Sequence, residues 1–170
     1  MDEHIKEQLE STFKSVVVTI AGDTRVVVNV KKDHVLAVLR FLKDRKFDHL
    51  ALISCVDWIE EEEFELVYIL TGYMQNGEND TGRESLHLIV KTRIPRQKPL
   101  FETVMEIFSN AEPYEREIHE LFGIKFEGHP RLIPLFLERE YEIPPFRKDF
   151  DTRKYVEKTF GNIPSVENDK

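Results

Sequence analysis

Two runs of alternating apolar and polar residues constrain the fold of this chain more than any other feature. Residues 63–71 and 85–94 both carry large apolar side chains at every second position, which is the period of a strand with one buried face. Residues 72–82 between them are rich in Gly, Asn and Asp, which favour turns. The pattern predicts an antiparallel hairpin with a long exposed loop.

Further strands and helices follow from similar patterns. Strands are expected over residues 15–20, 25–30 and 50–56. Helices are expected over residues 4–14, 34–45, 99–109 and 113–123. Asp33 and Pro99 suit helix starts, and Gly123 suits a helix end. The chain is therefore predicted to be an α+β protein, with helices packed on one face of a mostly antiparallel sheet of about five strands.

The composition changes after Gly128. Five of the eight prolines fall in the last 43 residues, and helical periodicity fades there. We expect an α+β domain over residues 1–127 and an extended, Pro-rich C-terminal tail over residues 128–170, which we call the arm. Phenylalanines recur through this region, and aromatic side chains in an extended segment need another surface to cover them. The arm is expected to bind a partner, although folding back onto its own domain would also cover these rings.

Charge and cysteine content exclude several functions. The net charge of −8 disfavours non-specific binding to nucleic acid. Residues 131–170 hold eight Lys or Arg and eight Asp or Glu, so the acidic excess lies in residues 1–130. The single cysteine, Cys55, lies in the apolar run of residues 50–56 and is expected to be a buried apolar side chain. One thiol cannot hold an iron–sulfur cluster, which needs about four cysteine ligands. No apolar run reaches the roughly 18 residues that span a bilayer, so partners are expected to mediate membrane association.

Motifs that carry catalysis are not found. There is no G-x-G-x-x-G, Walker lysine or G-x-S-x-G pattern. His119-Glu120 begins like a zinc-protease helix, but Gly123 stands where the second histidine should be. A metal site built from Glu115, His119 and His129, together with Glu120, remains an alternative. Ordinary ion pairs between residues one helical turn apart account for the same charges.

Residues 113–130 resemble the signature of a respiratory complex I family, that of the thirty-kilodalton subunit. The stretch reads P-Y-E-R-E-I-H-E-L-F-G-I-K-F-E-G-H-P and contains every fixed element of that signature. Residues 145–150, P-F-R-K-D-F, are similar to the family's P-L-R-K-D-Y, and Asp57-Trp58 is similar to its middle region. The chain departs from the family at Pro113, where a Trp is usual, and over residues 131–136. These departures fit a relative of this family in a different kind of complex, where the neighbouring subunit is not the same as in complex I.

The resemblance implies a non-catalytic structural subunit in the hydrophilic arm of a membrane-bound, NADH-quinone oxidoreductase-like complex that couples electron transfer to ion translocation. It implies a peripheral position on the cytoplasmic side of the membrane, beside a hydrogenase-like large subunit and an iron–sulfur small subunit. No cofactor is expected in this chain, and iron–sulfur clusters are expected in its neighbours. The same role in a membrane-bound hydrogenase or sulfur reductase stays open, as do a free-standing metal-dependent enzyme and an unrelated soluble adaptor.

Three short segments are the candidate interface. Arginine suits bidentate hydrogen bonding to carboxylates. A Gly-His-Pro turn restricts the direction in which the arm leaves the domain. A solvated charge cluster is the alternative for each charged segment. The candidate interface residues are Glu115, Arg116, Glu117, Gly128, His129, Pro130, Arg147, Lys148 and Asp149.

Overall fold

The computed structural model describes residues 2–73, 85–138 and 141–161. The helices within these ranges are α1 (Asp2–Thr12), α2 (Val35–Lys43), α3 (Glu112–Phe122) and α4 (Thr152–Phe160). The strands are β1 (Val17–Ile20), β2 (Arg25–Asn29), β3 (His49–Trp58), β4 (Glu63–Tyr73), β5 (Ser85–Pro95), β6 (Leu100–Glu102) and β7 (Lys125–Glu127).

Five strands form the main sheet in the order β1-β2-β5-β4-β3. All neighbours are antiparallel except β2 and β5, which run parallel. The predicted hairpin is the long β4–β5 pair, in which Tyr68 lies opposite Val90. Most of the loop predicted between these strands lies outside the described residues. The predicted α+β class and the mostly antiparallel five-stranded sheet are confirmed.

The core lies between one face of this sheet and the helices. Alternate residues of β4, including Phe64, Leu66 and Tyr68, are fully buried, as the two-residue period requires. Leu9 of α1 and Leu39 of α2 belong to the same buried cluster. Burial of each such side chain contributes about 1.5–3 kcal/mol. The opposite face of the sheet carries the ion pairs of Glu65 with its cross-strand neighbours on β5.

The predicted helix over residues 99–109 is wrong. The chain there forms strand β6, which pairs in parallel with β7 and sets Phe101 opposite Phe126. The backbone N–H of Val104 then donates to the Glu115 carboxylate at 2.7 Å. Tertiary pairing and a buried acceptor therefore override the helical signal of Pro99.

Helix α4 lies within the arm, where an extended chain was expected. The side chain of Asp151 accepts a hydrogen bond from the backbone N–H of Lys154, which is the usual geometry of a helix N-cap. The last nine residues, with Pro164, lie outside the described part of the chain. None of the helices in the described ranges is long and apolar enough to cross a bilayer.

Candidate interaction site

Helix α3 holds the first group of candidate residues. Pro113 lies in its first turn, and Gly123 ends it with a φ of 76° while donating its backbone N–H to the carbonyl of His119. A left-handed residue at this position favours glycine, as the sequence predicts. The helix buries Ile118 and Leu121 and also buries two charged side chains.

Glu115 is the more deeply buried of these two, with no exposed surface. Its carboxylate accepts from the Thr103 hydroxyl at 2.6 Å and from the Val104 N–H at 2.7 Å. Burial raises the pKa of Glu115 to about 7, and the two hydrogen bonds oppose that rise. The nearby hydroxyl of Tyr68 is also buried and has no hydrogen-bond partner in the described part of the chain. Glu115 thus fixes the loop after β6 against α3.

Arg116 and Glu120 attach the arm to α3. The Arg116 guanidinium donates to the carbonyls of Ile133 and Pro134 at 3.0 and 2.8 Å, and to Glu112 at 3.2 Å. The Glu120 carboxylate accepts from three successive backbone N–H groups, those of residues 135–137. Such charge-assisted bonds are about twice as strong as neutral ones. The first part of the arm is therefore held through its backbone.

Arg147, Lys148 and Asp149 attach a later part of the arm at the C-terminal end of α3 and at β3. Arg147 donates to the carbonyl of Phe122 at 2.7 Å and lies over the ring of Phe64. The backbone N–H of Lys148 donates to Asp57 at 2.8 Å. Burial is the main cause that lowers the pKa of Arg147, with the nearby Arg96 charge adding to it.

Arg96 and Asp57 are the counterparts of this segment. The Arg96 guanidinium makes two bonds to Asp57, at 2.9 and 3.2 Å, and one to Asp149 at 2.6 Å. These bonds raise the pKa of Arg96 and lower that of Asp149. Asp57 is only 4% exposed, and its carboxylate accepts from Arg96 and from the N–H of Lys148. Arg96, Asp57 and Asp149 therefore form one network that joins the arm to the sheet.

The remaining candidates lie at the start of the arm or on α3. Gly128 has a φ of 82°, and the exposed turn that it begins continues through Pro130. The His129 ring accepts from the backbone N–H of Arg131 at 3.1 Å. Glu117 is half-buried on α3. The assignment of all nine residues to a partner interface stays a prediction, and the structure gives several of them contacts within the chain.

The alternative metal site is not assembled. Glu115 is occupied by Thr103 and Val104, while the His119 ring bonds the carbonyl of Ile124. Within the described ranges no three His, Cys, Asp or Glu side chains are grouped to hold a metal ion. Cys55 is buried, and burial, with the charge of Asp57 adding to it, raises the pKa of its thiol to about 12.

Sequence reasoning assigned no role to Asp57 or Arg96, and it considered Glu120 only for the alternative metal site or for an ion pair within the helix. Asp57 could have been recognised from the sequence, because it is a charged residue at the next alternate position after Ile53 and Cys55, which are both buried. A charge in a buried register needs a partner. Arg96 lies after β5 and Glu120 lies among many helical charges, so neither is distinguishable without the fold.

Comparisons with known proteins agree with this geometry. The family model described as the respiratory-chain NADH dehydrogenase 30-kDa subunit matches residues 28–156. A subunit of the F420H2 dehydrogenase of Methanosarcina mazei is 37% identical over 134 residues, which are 78% of this chain and 79% of that protein.

Two solved structures have a similar fold. One is a chain of the membrane-bound sulfane sulfur reductase, described as an archaeal respiratory membrane complex. It superposes with a TM-score of 0.82 at 32% identity and covers 99% of this chain and 96% of its own. The other is the trypsin-resistant fragment 1–134 of Nqo5, with a TM-score of 0.62 at 28% identity, covering 78% of this chain and all of its own.

The fold and the matched sequence together define a subunit of a complex I-like respiratory complex. The chain belongs to the family of the 30-kDa subunit of the respiratory-chain NADH dehydrogenase.

Proposed function

We propose that this chain is a non-catalytic structural subunit in the hydrophilic arm of a membrane-bound, complex I-related redox complex that couples electron transfer to ion translocation. The supporting observation is similarity along the whole chain to one subunit of a respiratory membrane complex, at 99% coverage and 32% identity. The arm lies within that coverage, so the likeness is not confined to the α+β domain.

The contacts of the charged residues agree with a positional role. Arg116, Glu120 and Arg147 all bond the backbone of the arm or of α3. Such bonds fix the shape of the surface, which is what a subunit that braces its neighbours requires.

The proposed neighbours are a hydrogenase-like large subunit and an iron–sulfur small subunit on the cytoplasmic side of the membrane. In this proposal the neighbours hold the iron–sulfur clusters and this chain binds no cofactor. The trypsin-resistant fragment of Nqo5 covers 78% of this chain. We infer that neighbouring subunits cover the arm in the assembled complex.

The same structural role in a sulfur reductase or membrane-bound hydrogenase is the second candidate. The sulfane sulfur reductase chain is the observation that favours it. The purified complex separates these possibilities, because reduction of a quinone, of sulfane sulfur or of protons identifies the electron acceptor directly.

Purification from membranes tests the proposal. An affinity-tagged chain is expressed in its source cells, the membranes are solubilised in mild detergent, and the co-purifying proteins are identified by mass spectrometry. Recovery of a hydrogenase-like large subunit and an iron–sulfur small subunit in equal amounts with the chain is expected. A parallel preparation with the tag on the large subunit shows whether the complex survives solubilisation. If that preparation recovers the intact complex while the tagged chain is recovered alone, the proposal is contradicted.

A further inference from the structure

A pocket of about 450 Å³ lies on the same face of the main sheet as the ion pairs of Glu65. Its charged lining residues are Lys31, Lys32, Lys91, Arg93 and Glu65. Four cations against one anion give this lining a net charge of +3, in a chain whose net charge is −8. We call it the cationic pocket. Its volume lies in the range of about 300–1,000 Å³ that is usual for small-molecule sites.

The cationic pocket forms where strand β2 stops short of its neighbour β5. Asn29, the last residue of β2, lies opposite Lys91, whereas β5 continues to Pro95. In the described ranges no strand pairs with residues 92–95 of β5 on the side of β2. The chain that follows β2 leads directly into Lys31 and Lys32. The end of one strand therefore brings two lysines next to an unpaired strand edge, which can offer backbone donors to a ligand.

Two of the four cations are held in place, and the other two have no internal partner. The Glu65 carboxylate accepts from Lys91 at 3.2 Å and from Arg93 at 3.4 Å. Arg93 also donates to Glu63 at 3.1 Å. Lys31 and Lys32 are exposed, and neither forms an ion pair with a carboxylate in the part of the chain that the structure describes. The positive charge that remains available to a ligand is therefore mainly theirs.

This lining favours a compact anion that carries several charges. Ammonium and guanidinium groups are the side-chain groups that bind phosphate, and a guanidinium can do so with two parallel hydrogen bonds. A long polyanion such as nucleic acid would also meet the acidic remainder of the chain, which opposes its binding. None of the described residues that line the pocket is aromatic, so the pocket has no ring on which a nucleotide base would stack.

We propose that the cationic pocket is a binding site for a small phosphate-bearing ligand, which it recognises through consecutive phosphate groups. Lys31 and Lys32 supply the charge that the ligand neutralises, while Lys91 and Arg93 supply donors that Glu65 holds in position. Glu65 is a positioning residue in this site. The described lining contains no residue of the arm, so the inference does not depend on the proposed function.

Isothermal titration calorimetry of the full chain with inorganic tripolyphosphate tests the proposal. Binding to one site is expected, and its affinity should fall at least tenfold between about 20 and 200 mM salt, because salt screens contacts between exposed charges. The double variant Lys31→Gln, Lys32→Gln should bind tripolyphosphate at least tenfold more weakly, since it removes the two ammonium groups that have no internal partner.

The double variant Lys98→Gln, Lys125→Gln is the matched control. It makes the same change of charge at two exposed lysines that do not line the pocket, and it should bind within about twofold of the wild type. Both double variants should keep the thermal midpoint of the wild type in circular dichroism, because all four lysines are exposed. An equal loss of affinity in the two variants would reveal a non-specific effect of net charge and would overturn the inference, as would no binding of tripolyphosphate by the wild type.

Two further ligands separate the sources of phosphate. ATP should bind within about threefold of tripolyphosphate, because the pocket offers its base no ring to stack on. A preference for ATP of more than about tenfold would contradict recognition through the phosphate groups. Vesicles that contain phosphatidylglycerol should not retain the chain, whose net charge is −8. Retention on these vesicles that the Lys31→Gln, Lys32→Gln variant abolishes would assign the pocket to a lipid headgroup and refute a soluble ligand.

Discussion

Glu115 gives the protein a pH-dependent stability that a single substitution should remove. The pKa of this carboxyl is raised from 4.5 to about 7 in the folded protein, because burial disfavours its charged form. Between these values the folded state keeps a proton that the unfolded state releases. Unfolding therefore releases a proton, and the free energy of unfolding falls as pH rises through this window.

The size of the effect follows from the two pKa values. At about 1.4 kcal/mol per pH unit, their difference corresponds to about 3 kcal/mol over the whole window. Between pH 5 and pH 8 the expected loss of stability from this group is about 2.5 kcal/mol, because part of the window lies below pH 5.

Urea unfolding of the wild type and of Glu115→Gln at pH 5 and pH 8 measures this loss. The glutamine is uncharged at both values and can still accept the Val104 N–H. The stability of the wild type relative to the variant should fall by about 2.5 kcal/mol from pH 5 to pH 8. Glu117→Gln removes a charge from the same helix at a half-buried position and is the matched control. Parallel pH profiles for the wild type and Glu115→Gln would refute the reasoning.

Three further substitutions test the arm and the core. Asp57→Ala leaves Arg96 without its buried partner, so the free energy of unfolding measured in urea should fall by about 3 kcal/mol. Trypsin should also cut the arm faster. A fall below about 1 kcal/mol would contradict this prediction. Gly123→Ala puts a Cβ atom 2.9 Å from the Pro144 side chain at a residue whose φ is 76°. Thermal unfolding should therefore show a loss of stability of about 1–2 kcal/mol. An unchanged midpoint would count against this close contact. Tyr68→Phe deletes a buried hydroxyl that has no hydrogen-bond partner in the described part of the chain. The free energy of unfolding measured in urea should therefore stay level or rise by up to about 1 kcal/mol. A fall in this free energy would instead show that the hydroxyl has a partner.

Short-range patterns predict the main sheet because each strand shows its own period. The alternation in residues 63–71 requires one buried face whatever the other strands do, and the structure buries Phe64, Leu66 and Tyr68 as predicted. The helix over residues 99–109 fails for the opposite reason. Its segment has no strong period, and its structure depends on β7 and on Glu115, which are distant along the chain.

At the candidate site, too, features local in the sequence could be predicted, whereas contacts between distant residues could not. The sequence motif identifies Arg116 and Arg147 as unusual, but a motif does not show whether an arginine faces a neighbour or its own chain. Both bond backbone carbonyls within the chain. Asp57 and Arg96 lie 39 residues apart, so their pairing could be recognised only once β3 and the end of β5 were placed.

The way the arm is held has a consequence for how tightly it can bind. An extended segment that orders only on binding loses about 1–2 kcal/mol of backbone entropy for each residue that becomes fixed. The bonds of Arg116 and Glu120 already fix residues 133–137 before any partner arrives, so that part of the cost is borne by folding. In the proposed complex, the charges buried against the arm would favour association because they hold this segment in place beforehand. Glu120→Ala frees those N–H groups and should lower the amount of the proposed neighbours that co-purifies with the chain.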